Sequence, residues 1–531
     1  MSAARFLLNT PLLQTATAIV KTLHENGFAA YFVGGCVRDL VMGRQPKDVD
    51  IATSAPPDSV QELFPNTVAV GEQFGVVIVI LNNIHFEVAT FRAEGSYSDG
   101  RHPDQVRYSN SPEEDAKRRD FTLNALFYDP VEGKLLDFHE GRQDIERRII
   151  RAIGNPQQRL QEDKLRMLRA VRFAVRFDSI IETETEQAIV AAASEITQVS
   201  PERLRDELTR ILTEGHSHRG FHLLEELGLL AILLPELIAM KGVEQPPEFH
   251  PEGDVWVHTM RLLKFMDETK EEVSGVGCPV LGESGKAREP GSQKSEVTAQ
   301  KPEVGSQKLE DAERRSLASP GNGQMTTGDL LLHPDTRHPT PDTSTPWQLD
   351  PEDYPTPILA WGALLHDVGK PSTFRLATDR IRFDGHMEVG ARMARQIGHR
   401  FRMSNEEIEL LAELVLEHLK FKDVQKMRPS TLKRFVRREH FAVHLELHRL
   451  DCLACHGNLE AYHFTRGYAE ALKPEDARPK PLLTGNDLIG LGYTPGPEFK
   501  KILTALEDAQ LENQITDRES ALDYLQKRYP P

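Results

Sequence analysis

Two aspartates stand two residues apart in Lys47-Asp-Val-Asp-Ile-Ala52, in an apolar setting. In an extended segment Asp48 and Asp50 point to the same side. Two hard oxygen ligands on one face suit Mg²⁺, which keeps part of its shell for water and substrate phosphates. A two-metal site of that kind activates an attacking hydroxyl and stabilises a leaving pyrophosphate. Glu87, in the strand-like run His85-Phe-Glu-Val-Ala-Thr-Phe91, offers a third carboxylate from a neighbouring strand. Upstream, Tyr31-Phe-Val-Gly-Gly-Cys-Val-Arg-Asp-Leu40 ends an apolar run at Gly34 and Gly35, with Arg38 close behind. Backbone amides there can approach a phosphate with no Cβ in the way. An isolated Asp-x-Asp is more often a solvated turn, so company decides its meaning. That company is Arg118-Arg-Asp-Phe-Thr-Leu-Asn-Ala125. Arg118 and Arg119 suit triphosphate oxygens, and Asp120 and Asn124 suit a ribose.

A third run, Glu162-Asp-Lys-Leu-Arg-Met-Leu-Arg-Ala-Val-Arg-Phe-Ala174, places Leu165, Leu168, Val171 and Val175 on one stripe, which predicts an amphipathic helix. Asp163 and Arg166 are then neighbours on its surface. They form either an ordinary ion pair or an acceptor and donors for the edge of a nucleobase. Arg169, Arg172 and Arg176 continue along the helix toward phosphates. From Arg142 to Arg176 there are nine Arg and one Lys against two Asp and two Glu, a local charge of +6 in a chain of net charge −17. The overall charge argues against unspecific coating of nucleic acid, whereas the local excess beside the motifs suits a phosphate-facing surface.

A second constellation lies downstream. Trp361-Gly-Ala-Leu-Leu-His-Asp-Val-Gly-Lys-Pro371 puts His366 and Asp367 at the end of an apolar helix that Gly369 and Pro371 stop. Both groups need partners in such a setting. His258, His386, His418 and Asp451 are available, and a mixed His/Asp set suits Mn²⁺, Ni²⁺ or Fe²⁺. Cys452 and Cys455 form a lone Cys-x-x-Cys, read as helix-packing thiols.

These residues need a frame. With 531 residues, 39% hydrophobic and 27% charged, the chain is expected to form two to four soluble domains. Short β-rich runs mix with helical stretches from about Ala30 to Asp137, and helical periodicity dominates after Ile150. From roughly Lys270 to Pro351 apolar residues are sparse and Gly, Ser, Pro and Thr accumulate, which predicts a disordered insertion. His258 must then fold back across it, at little extra closure entropy. The first 28 residues read as an amphipathic helix ended by Gly27 and not as a signal peptide. With no apolar run near 20 residues and only four cysteines, a cytoplasmic protein without a membrane partner is expected.

In order, GlyGlyCysValArgAsp with AspValAsp, ArgArgAspPheThrLeuAsnAla, GluAspLysLeuArg and Glu202-Arg-Leu-Arg-Asp-Glu-Leu208 resemble the class II tRNA nucleotidyltransferases and the related bacterial poly(A) polymerases, over about the first 240 residues. The resemblance implies an α+β chain: a nucleotidyltransferase head with a mixed sheet (1–150), a helical neck and body (151–242), and a helical tail (476–531). It implies metal binding by Asp48 and Asp50, and base selection by Asp163 and Arg166. Glu202, Arg203 and Glu207 would brace the base-reading helix. Gly34, Gly35, Arg38, Arg119, Asp120, Asn124, Arg169 and Arg172 complete the expected nucleotide site, with Glu87 beside the catalytic pair. The implied reaction is template-independent addition of CCA to the tRNA 3′ end from CTP and ATP, with A-only addition and poly(A) tailing as alternatives. Phe91–Pro103 looks like the loop that family members use to add the terminal A, which argues against CC-only addition. The histidines and aspartates downstream resemble the HD phosphohydrolases (243–475, interrupted by the insertion). That match carries His258, His366, Asp367 and Asp451 as ligands, with His386 and His418 for a second metal, and implies hydrolysis of phosphate esters as a further or even main activity.

Overall fold

The computed structural model describes residues 6, 8–69, 75–93, 107–274, 349–378 and 380–530. The N-terminal helix Pro11–Glu25 starts at Thr10, whose hydroxyl accepts from Leu13 N, and gives way to Gly27 at φ +84°. A seven-stranded sheet follows, made of β1 (Ala30–Val33), β2 (Asp50–Thr53), β3 (Thr67–Ala69), β4 (Val76–Leu81), β5 (Ile84–Thr90), β6 (Leu126–Asp129) and β7 (Lys134–Asp137). Its spatial order is β3-β4-β5-β2-β1-β6-β7. Every pair is antiparallel except β2 with β5, which run parallel and place Ile51 against Val88. That one parallel pairing brings the strand of Glu87 beside the strand of Asp50. The sheet is thus mixed, as expected. Leu13, Ile19, Leu23, Phe32, Ile51 and Phe86 pack on one of its faces, and Val33, Ala52, Phe91 and Phe127 on the other.

Beyond residue 150 the described chain is mostly helical, apart from two-residue pairings of Ile149–Ile150 with Ile180–Ile181 and of Arg375–Leu376 with Ile381–Arg382. One apolar cluster runs from Phe121 through Leu168, Leu208 and Leu262 to Leu364 and Leu450, so the middle of the molecule shares a continuous interior. Residues 483–525 bury a small separate cluster around Leu488, Leu506 and Leu525. The expected insertion starts later than its composition suggests, because the helix Val255–Ser274 carries Lys270 and four more residues. Asp267 anchors that stretch by accepting from Ser217 N and His218 N at 3.0 Å each. Residues 275–348 of the expected insertion lie outside the described residues, as do 94–103 of the expected A-adding loop; the insertion's expected end, 349–351, is described, with Pro351 opening a short 3-10 turn.

Candidate nucleotide site and candidate metal centre

The turn from β1 into the helix Gly35–Val41 is made by Gly34 at φ +69°, a conformation that L side chains avoid. A Cβ on Gly34 would stand 3.1 Å from Arg119 Nη1 and 3.9 Å from Asp50 Oδ2. The glycine therefore lets backbone, guanidinium and carboxylate converge. Val33 pairs with Asp50 across the sheet, and Asp50 with Asp48 opens into one cleft of about 1,080 Å³. The same cleft is lined by Gly35, Arg38, Arg119, Asp120, Asn124, Asp163, Arg166, Arg169 and Arg172. Every expected nucleotide-site residue thus meets in one place except Glu87. That side chain lies on β5, one step before the Ile51–Val88 pairing. Asp50 keeps surface toward the cleft, yet the protein packed behind it strips away solvent. Burial first, then the charge of Asp48, push its pKa up to about 6 against the pull of Arg119. Burial, then Asp50 and Asp48, push Glu87 up to about 7. Carboxylates gathered so closely that Asp50 and Glu87 are driven above their ordinary range fit a bound divalent cation.

The arginines arrive pre-positioned. Asp115, which is buried, accepts from Arg118 Nε at 2.7 Å and Arg119 Nη2 at 3.1 Å. Asp120 accepts from Arg169 Nη2 at 2.7 Å and Asn124 Nδ2 at 3.1 Å, and Asn124 Oδ1 accepts from Arg38 Nη1 at 2.9 Å. Although burial opposes it, Arg169 and Asn124 draw Asp120 down to about 2. Sequence reasoning assigned Asp120 and Asn124 to a ribose; here they join Arg38 and Arg169 into one hydrogen-bonded frame. It missed Asp115, whose i,i+4 spacing to Arg119 was the available signal.

The expected single helix across Glu162–Ala174 is a correction. One helix ends at Glu162 and the next runs Arg166–Arg176, with Asp163 extended at φ −147°. The cause is local: Asp163 Oδ1 accepts from Leu165 N at 3.0 Å, an Asx turn that competes with the helical bond. Asp163 and Arg166 do not form the ordinary ion pair that was the alternative to base reading. Asp163 accepts from Arg203 Nη2 at 2.9 Å, while Arg166 Nη1 donates to Glu162 at 2.7 Å and to the Arg159 carbonyl at 2.6 Å. The helix Pro201–Thr213 supplies that arginine and also Glu207, which is buried and accepts from Arg172. Two of the three expected bracing residues therefore contact the cleft's frame. Glu202 instead accepts from Arg402 Nη1 at 2.7 Å, on the far side of the helix.

The second constellation assembles completely. His258 Nε2 is 3.1 Å from Asp451 Oδ1 and 3.2 Å from His366 Nε2, and His366 Nε2 is 3.1 Å from Asp367 Oδ2. The other oxygen, Asp367 Oδ1, faces His386 Nε2 at 3.8 Å and His418 Nε2 at 3.6 Å. Asp367 Oδ1 and His386 Nε2 are buried with no hydrogen-bond partner among the described residues. Orphaned lone pairs that converge from both sides of one carboxylate fit divalent cations. Gly369 permits the approach, since a Cβ there would stand 2.1 Å from the His386 carbonyl. Burial works against charge on His258, but Asp451 and Glu252 push its pKa up to about 9. Burial would raise Asp367, yet Lys370 and His366 hold it well below the carboxylate range. Lys370 Nζ donates to Asp367 Oδ2 at 2.7 Å and to Gln245 at 2.6 Å; its place four residues after His366 was its sequence signal. The centre opens on a cavity of about 640 Å³ that Cys452 and Cys455 also line.

Comparison with known proteins agrees with this layout. Residues 30–151 match the family described as Poly A polymerase head domain, 180–241 that of the probable RNA and SrmB-binding site of polymerase A, and 355–439 the HD domain. The chain is 46% identical over 220 residues to the CCA-adding enzyme of Geobacillus sp., covering 41% of this chain and 54% of that protein. It is 40% identical over 258 residues to the CCA-adding enzyme of Bacillus subtilis, covering 49% and 62%. It thus spans little more than half the length of such relatives. In fold it is similar to the Bacillus stearothermophilus CCA-adding enzyme in complex with CTP, with a TM-score of 0.63 at 24% identity over 98% of this chain and 99% of that one. The Thermotoga maritima CCA-adding enzyme complexed with tRNA gives 0.51 at 16% over 98% and 96%. With these three segments in this order on one polypeptide, the chain is similar to the class II CCA-adding enzymes and poly(A) polymerases in its head, its RNA-binding segment and its HD segment.

Proposed function

We propose that this protein adds CCA to the 3′ end of tRNA without a template, drawing on CTP and ATP. The observation that carries the reading is the single cleft in which Asp48, Asp50, Gly34, Arg119, Asp163 and Arg166 meet. In this reading Arg119 and the amides after Gly34 hold the triphosphate, and the Asp120–Asn124–Arg38 frame seats the sugar. Asp163 and Arg166 present one acceptor and several donors to the base edge, a role their neighbours Arg203 and Glu162 stabilise. The RNA 3′-hydroxyl attacks the α-phosphate, forming a phosphodiester and releasing pyrophosphate. When bound at Asp48 and Asp50, with Glu87 beside them, Mg²⁺ supplies the charge that this displacement needs. The head, the neck and body, the HD segment and the tail are assigned to 1–150, 151–242, 243–475 and 476–531.

The test offers the protein labelled CTP and ATP with tRNA ending before CC, tRNA ending after CC, and an unrelated RNA. Three additions to the first, one to the second and none to the third are expected. Addition of A only, or a long A ladder on any RNA, would replace the reading by A addition or tailing. Asp48→Ala abolishes incorporation with the fold retained; full activity in that variant would sink the assignment.

The His/Asp cluster favours a second activity, metal-dependent phosphohydrolysis, because its unpartnered lone pairs fit Mn²⁺ or Ni²⁺. Turnover of a 2′,3′-cyclic nucleotide phosphate by the Ni²⁺-supplemented protein, lost in Asp367→Ala, is the expected result. If wild type hydrolyses the phosphate and transfers no nucleotide, hydrolysis is the main activity.

A further inference from the structure

The four histidines of the second site do not hold their outer nitrogens alike. In His366, His386 and His418 the Nδ1 atom lies 3.0, 2.8 and 2.7 Å from the carbonyl oxygens of Ala363, Phe383 and Val415, each three residues back. Each therefore donates Nδ1–H to its own chain and keeps Nε2 as a lone pair aimed at Asp367. His258 has a carboxylate instead: its Nδ1 is 2.7 Å from Glu252 Oε1. The same oxygen accepts from His250 Nδ1 at 2.9 Å. The Glu252 side chain is only 1% exposed, and its Oε2 has no partner among the described residues. The two imidazole rings stand edge to face, 5.0 Å apart. Both nitrogen–oxygen distances are hydrogen-bond distances. They are shorter than the roughly 3.4 Å that separates ligands held about 2.1 Å from one tetrahedral ion.

We propose that Glu252 is the positioning carboxylate of this metal centre. It fixes His258 as the Nδ1–H tautomer, with Nε2 turned toward Asp451 and His366, and its charge strengthens Nε2 as a donor in a way the neutral carbonyls behind the other three histidines do not. The same oxygen holds His250 on the cavity wall, where that residue lines the space beside Asp367 and Lys370. Outer carboxylates of this kind typically contribute about 10–100-fold to metal affinity. The inference rests on reading the His/Asp cluster as a divalent-metal site.

The test titrates Ni²⁺ into the full-length, metal-stripped protein by calorimetry, with Asp367→Ala identifying the part of the signal that belongs to this centre. Glu252→Gln should weaken that part about 10–100-fold at unchanged stoichiometry. Substituting Co²⁺ and reading its visible absorption should reveal altered ligand geometry in the variant. Glu252→Asp keeps the charge and should recover most of the affinity. A residue that only fills space predicts the reverse order, because Gln is the closer match in shape, and it would keep its effect if Glu252→Gln merely lowered the melting temperature of the apo-protein. Affinity of Glu252→Gln within threefold of wild type overturns the proposal. So does loss of a whole bound equivalent at unchanged remaining affinity, which would make Glu252 a ligand. If wild type itself shows no component that Asp367→Ala removes, the metal reading fails, and the inference with it.

Discussion

At the scale of single residues, the nucleotide cleft is built from charges that already have partners. Arg119 is held by Asp115, Arg169 by Asp120 and Asp163 by Arg203. Such pre-set groups lose little freedom when a substrate arrives, which is what orientation-dependent chemistry needs. Arg203 contacts Asp163 but does not line the cleft. Its loss should therefore affect which base is accepted more than whether transfer occurs. In a competition of CTP against UTP on tRNA lacking CCA, Arg203→Ala is expected to reduce discrimination about tenfold, the equivalent of about 1.4 kcal/mol. Unchanged discrimination would leave Asp163 without need of its brace. Asp163 also illustrates what spacing conveys and what it does not. The three-residue interval to Arg166 was legible, but the Asx turn that breaks the helix between them was not.

At the scale of elements, the helix Pro201–Thr213 faces two ways. One face buries Glu207 against Arg172, and the other meets Arg402 through Glu202 and the Trp361 indole through Thr209 at 2.9 Å. Removing Glu207 leaves buried Arg172 with only the longer contact to Glu214 at 3.6 Å, so Glu207→Ala should cost up to about 3–5 kcal/mol in denaturant unfolding. Glu202→Ala loses a solvent-exposed pair and should cost less than about 1 kcal/mol. Equal costs would refute this division of faces. The helix Phe441–Ala454 carries a different liability. His444 is 2% exposed, its Nε2 has no partner among the described residues, and burial, then the Arg438 charge, hold its pKa down to about 4. The unfolded chain titrates near 6.5, so between these values it binds protons that the folded one refuses. Stability from this group is complete above about pH 6.5 and is lost as pH falls toward 4, by up to about 3 kcal/mol. Melting curves across that range should flatten by about one proton's worth of slope in His444→Leu.

At the scale of the molecule, the two sites share one interior. The apolar cluster from Phe121 to Ala454 underlies both the arginine helix and the His/Asp centre. The C-terminal residues 483–525 have their own small core and meet the rest through polar contacts such as Ser430–Glu512 and Arg434–Glu507. A small core joined by half-buried polar contacts opens more readily than a large continuous one. In native-state hydrogen exchange, amides of the helix Pro497–Leu511 should exchange before those of Arg166–Arg176. Equal protection would mean that the tail unfolds only with the whole.

What the sequence alone determined is the chemistry within reach of local spacing. It contains the paired aspartates, the glycine turn, the arginine series, and a His-Asp dipeptide that needs partners. These follow from periodicities of two and of three to four residues, which any extended or helical segment obeys. Only the tertiary structure decided what lies opposite. The parallel pairing of β2 with β5 brings Glu87 behind Asp50, although β3 and β4 lie between them in the chain. The meeting of His258 with Asp451, and of Glu202 with Arg402, depends on how distant helices settle on a common core. No spacing rule reaches across such contacts, because their geometry is set by the packing of the whole chain.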